Sequence, residues 1–351
     1  MKRLVLVLAL GLLGCFSGAE SKAVTASELT PYERAAAYSK EFRGLSVLII
    51  KDGKTVFEEY QNGHGADKAQ MLASGTKSFS GVMLAAAIED GIVKGFDEKI
   101  SDTITEWKAD PAKSAVTVRD LLTLTSGIDP GSFGRVPAYK DAIKNNFNYP
   151  NREMFQYGPA PFQVFGEFMT RKLKSKNETV EAYLKRRILD PIGLKVARWT
   201  KQGDQINLPS GAFLTAREWS KFGILLLNDG KWNGKQIVGK ELLRQLRTGS
   251  TANENYGVTF WLNKQNDGRA SVPEPKRKRM LDLLGIEDET TKAAKEGFGK
   301  RLPKDVYVAA GAGKQRLYVF PTEKMVIVRQ GRQSKFDDER FLELALGIAR
   351  K

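Results

Sequence analysis

β-like runs sit at the two ends of this 351-residue chain and helical spacing fills most of the interval between them, and that distribution limits the available folds more than any other feature. Residues 44–50 and 55–60 are rich in branched and apolar side chains and are parted by Lys51-Asp52-Gly53-Lys54, where Asp-Gly is a strong hairpin signal. From Thr76 to Asp90 the residues Phe79, Val82, Met83, Ala86 and Ile88 recur as on a buried helix, and Gly91 is placed to end it. Helical pieces follow at 118–124, 162–173, 180–189, 216–227 and 240–246. β-like runs return at 256–262, 306–310, 316–320 and 325–330, with Pro321-Thr322-Glu323-Lys324 turning the last two into a hairpin. The expectation is an α+β fold: a sheet built from both chain ends, flanked by helices, carrying an inserted, mainly helical lobe. In numbers, the α/β lobe takes about 20–78 and 205–351, and the helical lobe about 79–204.

Lys2 and Arg3 precede an apolar run from Leu4 to Leu13, too short to span a bilayer and the right length for the core of a secretory leader. Residues 1–19 therefore read as a signal peptide, cut after Ser17-Gly18-Ala19. A competing reading takes Leu12-Leu13-Gly14-Cys15 as a lipobox with a lipid anchor on Cys15. Either way the protein is expected outside the cytoplasm, periplasmic or on the cell envelope, with no transmembrane span once processed. Cys15 is the only cysteine, so the mature domain is left without a disulfide, a thiolate nucleophile or a cysteine-based metal site.

Lys plus Arg number 56 against 41 Asp plus Glu, a net charge of +15 that by itself raises nucleic acid as a partner. The leader and the lack of any nucleic-acid-binding motif argue against it; solubility is the simpler account of the excess. Residues 264–305 look like a surface excursion, in which Lys276-Arg277-Lys278-Arg279 reads as a solvated helix start rather than a polyanion site.

The chain has one histidine, His64, in the loop Asn62-Gly63-His64-Gly65-Ala66-Asp67, and no Gly-x-Ser-x-Gly elbow to accompany it. His64 is expected to be a loop residue, and neither a metal nor an organic cofactor is called for. A serine nucleophile without histidine needs lysine or tyrosine as its proton acceptor. Ser74-Gly75-Thr76-Lys77 meets that need: at a helix start, residues three apart share a face, and the exposed amides and positive dipole suit an oxyanion beside Ser74.

In context, Ser-x-x-Lys is a signature of β-lactamases and penicillin-binding proteins. The segments Met71-Leu72-Ala73-Ser74-Gly75-Thr76-Lys77-Ser78-Phe79-Ser80 and Thr117-Val118-Arg119-Asp120-Leu121-Leu122-Thr123-Leu124-Thr125-Ser126-Gly127 resemble those of the class C β-lactamase-like family. So do residues 210–217, residues 228–237, and Tyr256-Gly257 followed by Trp261. The resemblance spans about residues 44–331 and implies a β-lactamase/transpeptidase-like fold with an antiparallel sheet.

By that resemblance the family's Tyr-x-Asn falls on Tyr157-Gly158-Pro159, where the tyrosine carries over and the asparagine does not. Tyr157 then exchanges protons with Ser74 and the leaving group while Lys77 keeps the site electropositive; which of the two is the working base stays open. The third motif, Lys-Thr-Gly or His-x-Gly, falls on Ala309-Ala310-Gly311, of which only the glycine survives. The backbone amides of Ser74 and Ala312 would form the oxyanion hole, and Ala309, Ala310, Gly311, Gly313 and Lys314 would line the substrate site. Lys314 could stand in for the missing cation, although it reads more readily as a surface lysine.

The expected function is that of an exported, monomeric serine hydrolase acting on a small-molecule or peptide-like ester or amide, esters or small amides fitting better than β-lactams. The alternative is a catalytically weak or inactive penicillin-binding-like envelope protein that binds peptidoglycan fragments or a partner.

Overall fold

A computed structural model describes residues 29–132, 135–264 and 289–350. The leader, Cys15 and the run Lys276–Arg279 lie outside the described residues. Thr30 opens the first helix, α1 (Pro31–Glu41), through a capping box: the Glu33 amide donates to its hydroxyl, and its own amide donates to the Glu33 carboxylate. β1 (Gly44–Lys51) and β2 (Lys54–Tyr60) follow as an antiparallel hairpin whose turn residues, Asp52 and Gly53, both have positive φ, as a type I′ turn requires.

α2 (Ser78–Glu89) is buried on every side from Ser78 to Ala87, the burial expected of a central helix rather than an amphipathic surface one. Gly91, at φ 68°, ends it. Beyond it lie α3 (Val118–Leu122), α4 (Ala160–Leu173) and several shorter helical turns. α3 begins in a second capping box, Thr117 with Asp120, and the buried Asp120 carboxylate also accepts from Arg152 at 2.8 Å and Asn151 at 3.0 Å. The family-like stretch 117–127 therefore holds a structural anchor.

The chain then returns to the sheet through α5 (Ala216–Leu227), β3 (Trp261–Leu262), β4 (Tyr307–Gly311), β5 (Gln315–Phe320) and β6 (Met325–Gly331), and closes with α6 (Asp338–Leu346). The sheet is antiparallel throughout, with six strands in the order β3-β4-β5-β6-β1-β2, so its centre is the junction of the two chain ends. α1 and α6 pack on one face and α5 on the other, against β1, β5 and β6. The turn Pro321–Lys324 joins β5 to β6 as the sequence suggests.

The expected strand over 256–262 is corrected to two residues, 261 and 262. Thr259 takes φ 74° and the Gly257 amide bonds the Phe260 carbonyl, which folds the preceding residues into a tight loop. No helix among the described residues is long and apolar enough to cross a membrane.

Candidate active site

Two short strands place Ser74. Gln70–Met71 pairs with Ala212–Leu214, and the Leu72 amide donates to the Ala212 carbonyl at 2.9 Å. Ala73 then adopts φ 46°, a conformation uncommon outside glycine, and throws the chain into the tight helical turn Ala73–Lys77 that runs straight into α2. The turn is locked by its neighbours. The Ala212 amide donates to Thr76 Oγ1 at 3.2 Å, and a Cβ on Gly75 would come within 2.9 Å of the Trp219 ring.

Strand β4 lies across this turn. A Cβ on Gly311 would meet the Leu72 carbonyl oxygen at 2.0 Å and the Gly75 nitrogen at 2.9 Å, so only glycine allows the approach. The surviving glycine of the third motif is thus a packing requirement.

Lys77 is buried, and its ammonium donates to Ser74 Oγ at 3.1 Å and to the Pro209 carbonyl at 3.0 Å. The same Nζ lies 4.9 Å from the ring centroid of Tyr157 and 5.2 Å from that of Phe162, so aromatic faces as well as oxygens surround the cation. Residue spacing brings Ser74 and Lys77 together as expected; Tyr157 joins them from the segment leading into α4.

Tyr157 is held by an aromatic box. Its ring stacks on Trp261 with centroids 5.6 Å apart, meets Tyr256 edge-on at 6.1 Å, and has Phe155 at 6.3 Å. Tyr256 is fully buried, and desolvation with the neighbouring Tyr157 raises its phenol well above the ordinary value, so it stays neutral. The box, Phe162 and the Pro209 carbonyl have no role in the sequence reading. The family-like Tyr256-Gly257 and Trp261 are the signal that could have found the box. Pro159, at the position where the resembled Tyr-x-Asn motif has asparagine, is the N-cap residue of α4 and has no side-chain donor.

The five proposed substrate-lining residues do not act alike. Ala309 is buried at 1% exposure. Ala310 pairs with Arg316 and so faces the α6 side of the sheet. The Gly313 amide is spent on Gln333 Oε1 at 3.3 Å.

Lys314 needs the plainest correction. It is buried, not a surface lysine, and the carboxylate beside its ammonium is that of Asp338, 3.8 Å away at the start of α6. Gly311 lies against the nucleophile turn. Among the described residues, neither the Ser74 amide nor the Ala312 amide donates to a protein acceptor.

His64 sits apart in its loop, beside the Tyr60 ring at 6.5 Å; burial, then nearby Lys68, lower its pKa, which keeps the imidazole neutral. Among the described residues no group of His, Cys, Asp or Glu is placed to hold a metal ion.

The Beta-lactamase family model matches residues 29–340. An uncharacterized protein of Alkalihalophilus pseudofirmus is 23% identical over 285 residues, which cover 69% of this chain and 77% of that one. Among solved structures, a putative beta-lactamase from Bacteroides dorei superposes with TM-score 0.69 at 15% identity, covering 91% of this chain and 98% of the other. A putative 6-aminohexanoate-dimer hydrolase from Bacillus anthracis gives TM-score 0.67 at 16% identity, over 89% and 80%. The likeness to these two structures is one of fold.

Proposed function

We propose, from the premise that this chain belongs to the beta-lactamase family of serine hydrolases, that it cleaves an ester or amide through an acyl-enzyme on Ser74. The observation that carries this is the 3.1 Å contact between Lys77 Nζ and Ser74 Oγ with the Tyr157 ring 4.9 Å from the same ammonium.

Lys77 and Tyr157 serve as the proton-transfer partners. An ammonium has donors only, and this one already donates to two oxygens, which suits the role of keeping the site electropositive while Tyr157 exchanges the proton. Ser74 Oγ loses its proton and attacks the carbonyl carbon. The amides of Ser74 and Ala312 hold the oxyanion, the leaving group departs with the proton, and water then releases the acyl group from Ser74.

The substrate is an ester or small amide rather than a β-lactam. Pro159 and Ala309 put no hydrogen-bonding or cationic side chain at the two motif positions that would grip a β-lactam's side-chain amide and carboxylate. A structural neighbour described as a putative 6-aminohexanoate-dimer hydrolase supports an amide as one option. Export, to the periplasm or envelope, rests on the leader at 1–19, and the lipid anchor at Cys15 is its variant.

The test is a fluorophosphonate probe on the mature protein together with p-nitrophenyl acetate and nitrocefin. Labelling confined to Ser74 and a burst on the activated ester are expected, both lost in Ser74→Ala. Folded protein that neither labels nor bursts refutes the proposal and favours the non-catalytic binder.

A further inference from the structure

The turn from Gly311 to Gln315 carries the Ala312 amide, and two buried arginines hold three of its carbonyls, those of Gly311, Lys314 and Gln315. Arg316 Nη1 donates to the Gly311 and Gln315 carbonyls, both at 3.0 Å, while Nε and Nη2 grip the two oxygens of Asp338 at 2.6 and 3.1 Å. Arg329, which has no exposed surface, donates from Nη1 to the Lys314 carbonyl at 2.9 Å, and its other nitrogens hold Phe42 O at 2.8 Å and Ser39 Oγ at 3.2 Å in the α1 region. The Gln315 side chain bonds the Gly313 carbonyl at 3.1 Å and ties the turn to Gly331 at 2.6 Å. Ala312 itself is exposed.

Burying two guanidinium groups is a costly way to stitch a turn together. Arginine is suited to the task because its planar fork meets several acceptors in fixed directions, which lysine cannot do. A turn held this way presents one amide at a fixed distance from Ser74, as electrostatic catalysis requires.

We propose that Arg316 and Arg329 are positioning residues that aim the Ala312 amide at the substrate carbonyl, a role that rests on the serine-hydrolase reading above. They touch no substrate. They act through the carbonyls of Gly311, Lys314 and Gln315, and Asp338 serves to orient Arg316.

The test compares a p-nitrophenyl ester with its thiono analogue, whose sulfur accepts hydrogen bonds poorly, in wild type, Arg316→Lys and Arg329→Lys. Arg316→Lys keeps a positive charge opposite Asp338 but cannot bond two carbonyls and both carboxylate oxygens at once. Both variants should lose oxo-over-thiono preference by roughly tenfold, through kcat with KM held, a fraction of the 10²–10³ that follows removal of an oxyanion donor. Because the ratio is taken within one preparation, it does not depend on how much of a weakened variant is folded. An unchanged ratio, or an equal fall for both esters, overturns the proposal. Wild type that acylates neither ester instead overturns the hydrolase reading itself.

Discussion

Gly311→Ala should uncouple the oxyanion strand from the nucleophile. The added methyl carbon would stand 2.0 Å from the Leu72 carbonyl oxygen, a full 1 Å inside the shortest contact that real Cβ atoms make, and both obstacles are backbone atoms that cannot rotate away. β4 and the Ala73–Lys77 turn must therefore separate by about 1 Å, and overpacking of that kind costs roughly 1–3 kcal/mol. For a domain of more than 300 residues, about 2 kcal/mol lowers the melting temperature by roughly 3 °C. The kinetic effect should be larger, since a displacement of about 1 Å between reacting groups costs on the order of 10² in rate. The assay is the acylation burst with p-nitrophenyl acetate beside a thermal melt. Gly53→Ala, at φ 76° in the open β1–β2 turn, serves as control: it should cost about 1–2 kcal/mol of backbone strain and leave acylation unchanged. A Gly311→Ala protein with wild-type melting and acylation within about twofold of wild type would refute the reasoning.

His64→Gln should keep kcat/KM within about twofold, because proton transfer is assigned to Lys77 and Tyr157; a loss on the scale of a removed general base, about 10²–10⁴, would return the histidine to the mechanism. Asp338 makes stability depend on acid. Burial opposes its charge, yet Arg316 and Lys314 hold the carboxyl down at about 2 against an ordinary 3.8. A carboxyl depressed on folding stabilises the protein above its unfolded value and loses that contribution as pH falls through the folded one. The difference in unfolding free energy between wild type and Asp338→Asn should therefore shrink by on the order of 2 kcal/mol from pH 5 to pH 2, and a constant difference in denaturant titrations would contradict it.

Local chemistry was legible where it decides the outcome alone. Asp52-Gly53 defines its turn in four residues, and Ser74 and Lys77 meet because three residues make nearly one helical turn. The capping box at Thr30 and Glu33 was equally readable, and α1 could have been found from it. Tyr157 was reached through resemblance, since nothing in its own segment announces the Trp261 and Tyr256 rings that hold it. Lys314 was unreadable for a similar reason: a turn lysine points wherever its counter-charge sits, and Asp338 arrives 24 positions later on a helix packed behind the sheet. The exposed positions of a motif were legible as types; the direction each side chain takes depends on partners distant in sequence.

The pairing of β1 with β6 sets the timing of folding. Register runs from Gly44 opposite Gly331 to Lys51 opposite Met325, so a strand buried along all but its last residue waits for a neighbour made nearly three hundred residues later. Until then Val47 and Ile49 sit on an open edge able to recruit another chain. A nonsense mutation ahead of Met325 would accordingly release an aggregation-prone polypeptide instead of a weakened enzyme, and synthesis slowed late in the message would prolong the hazard.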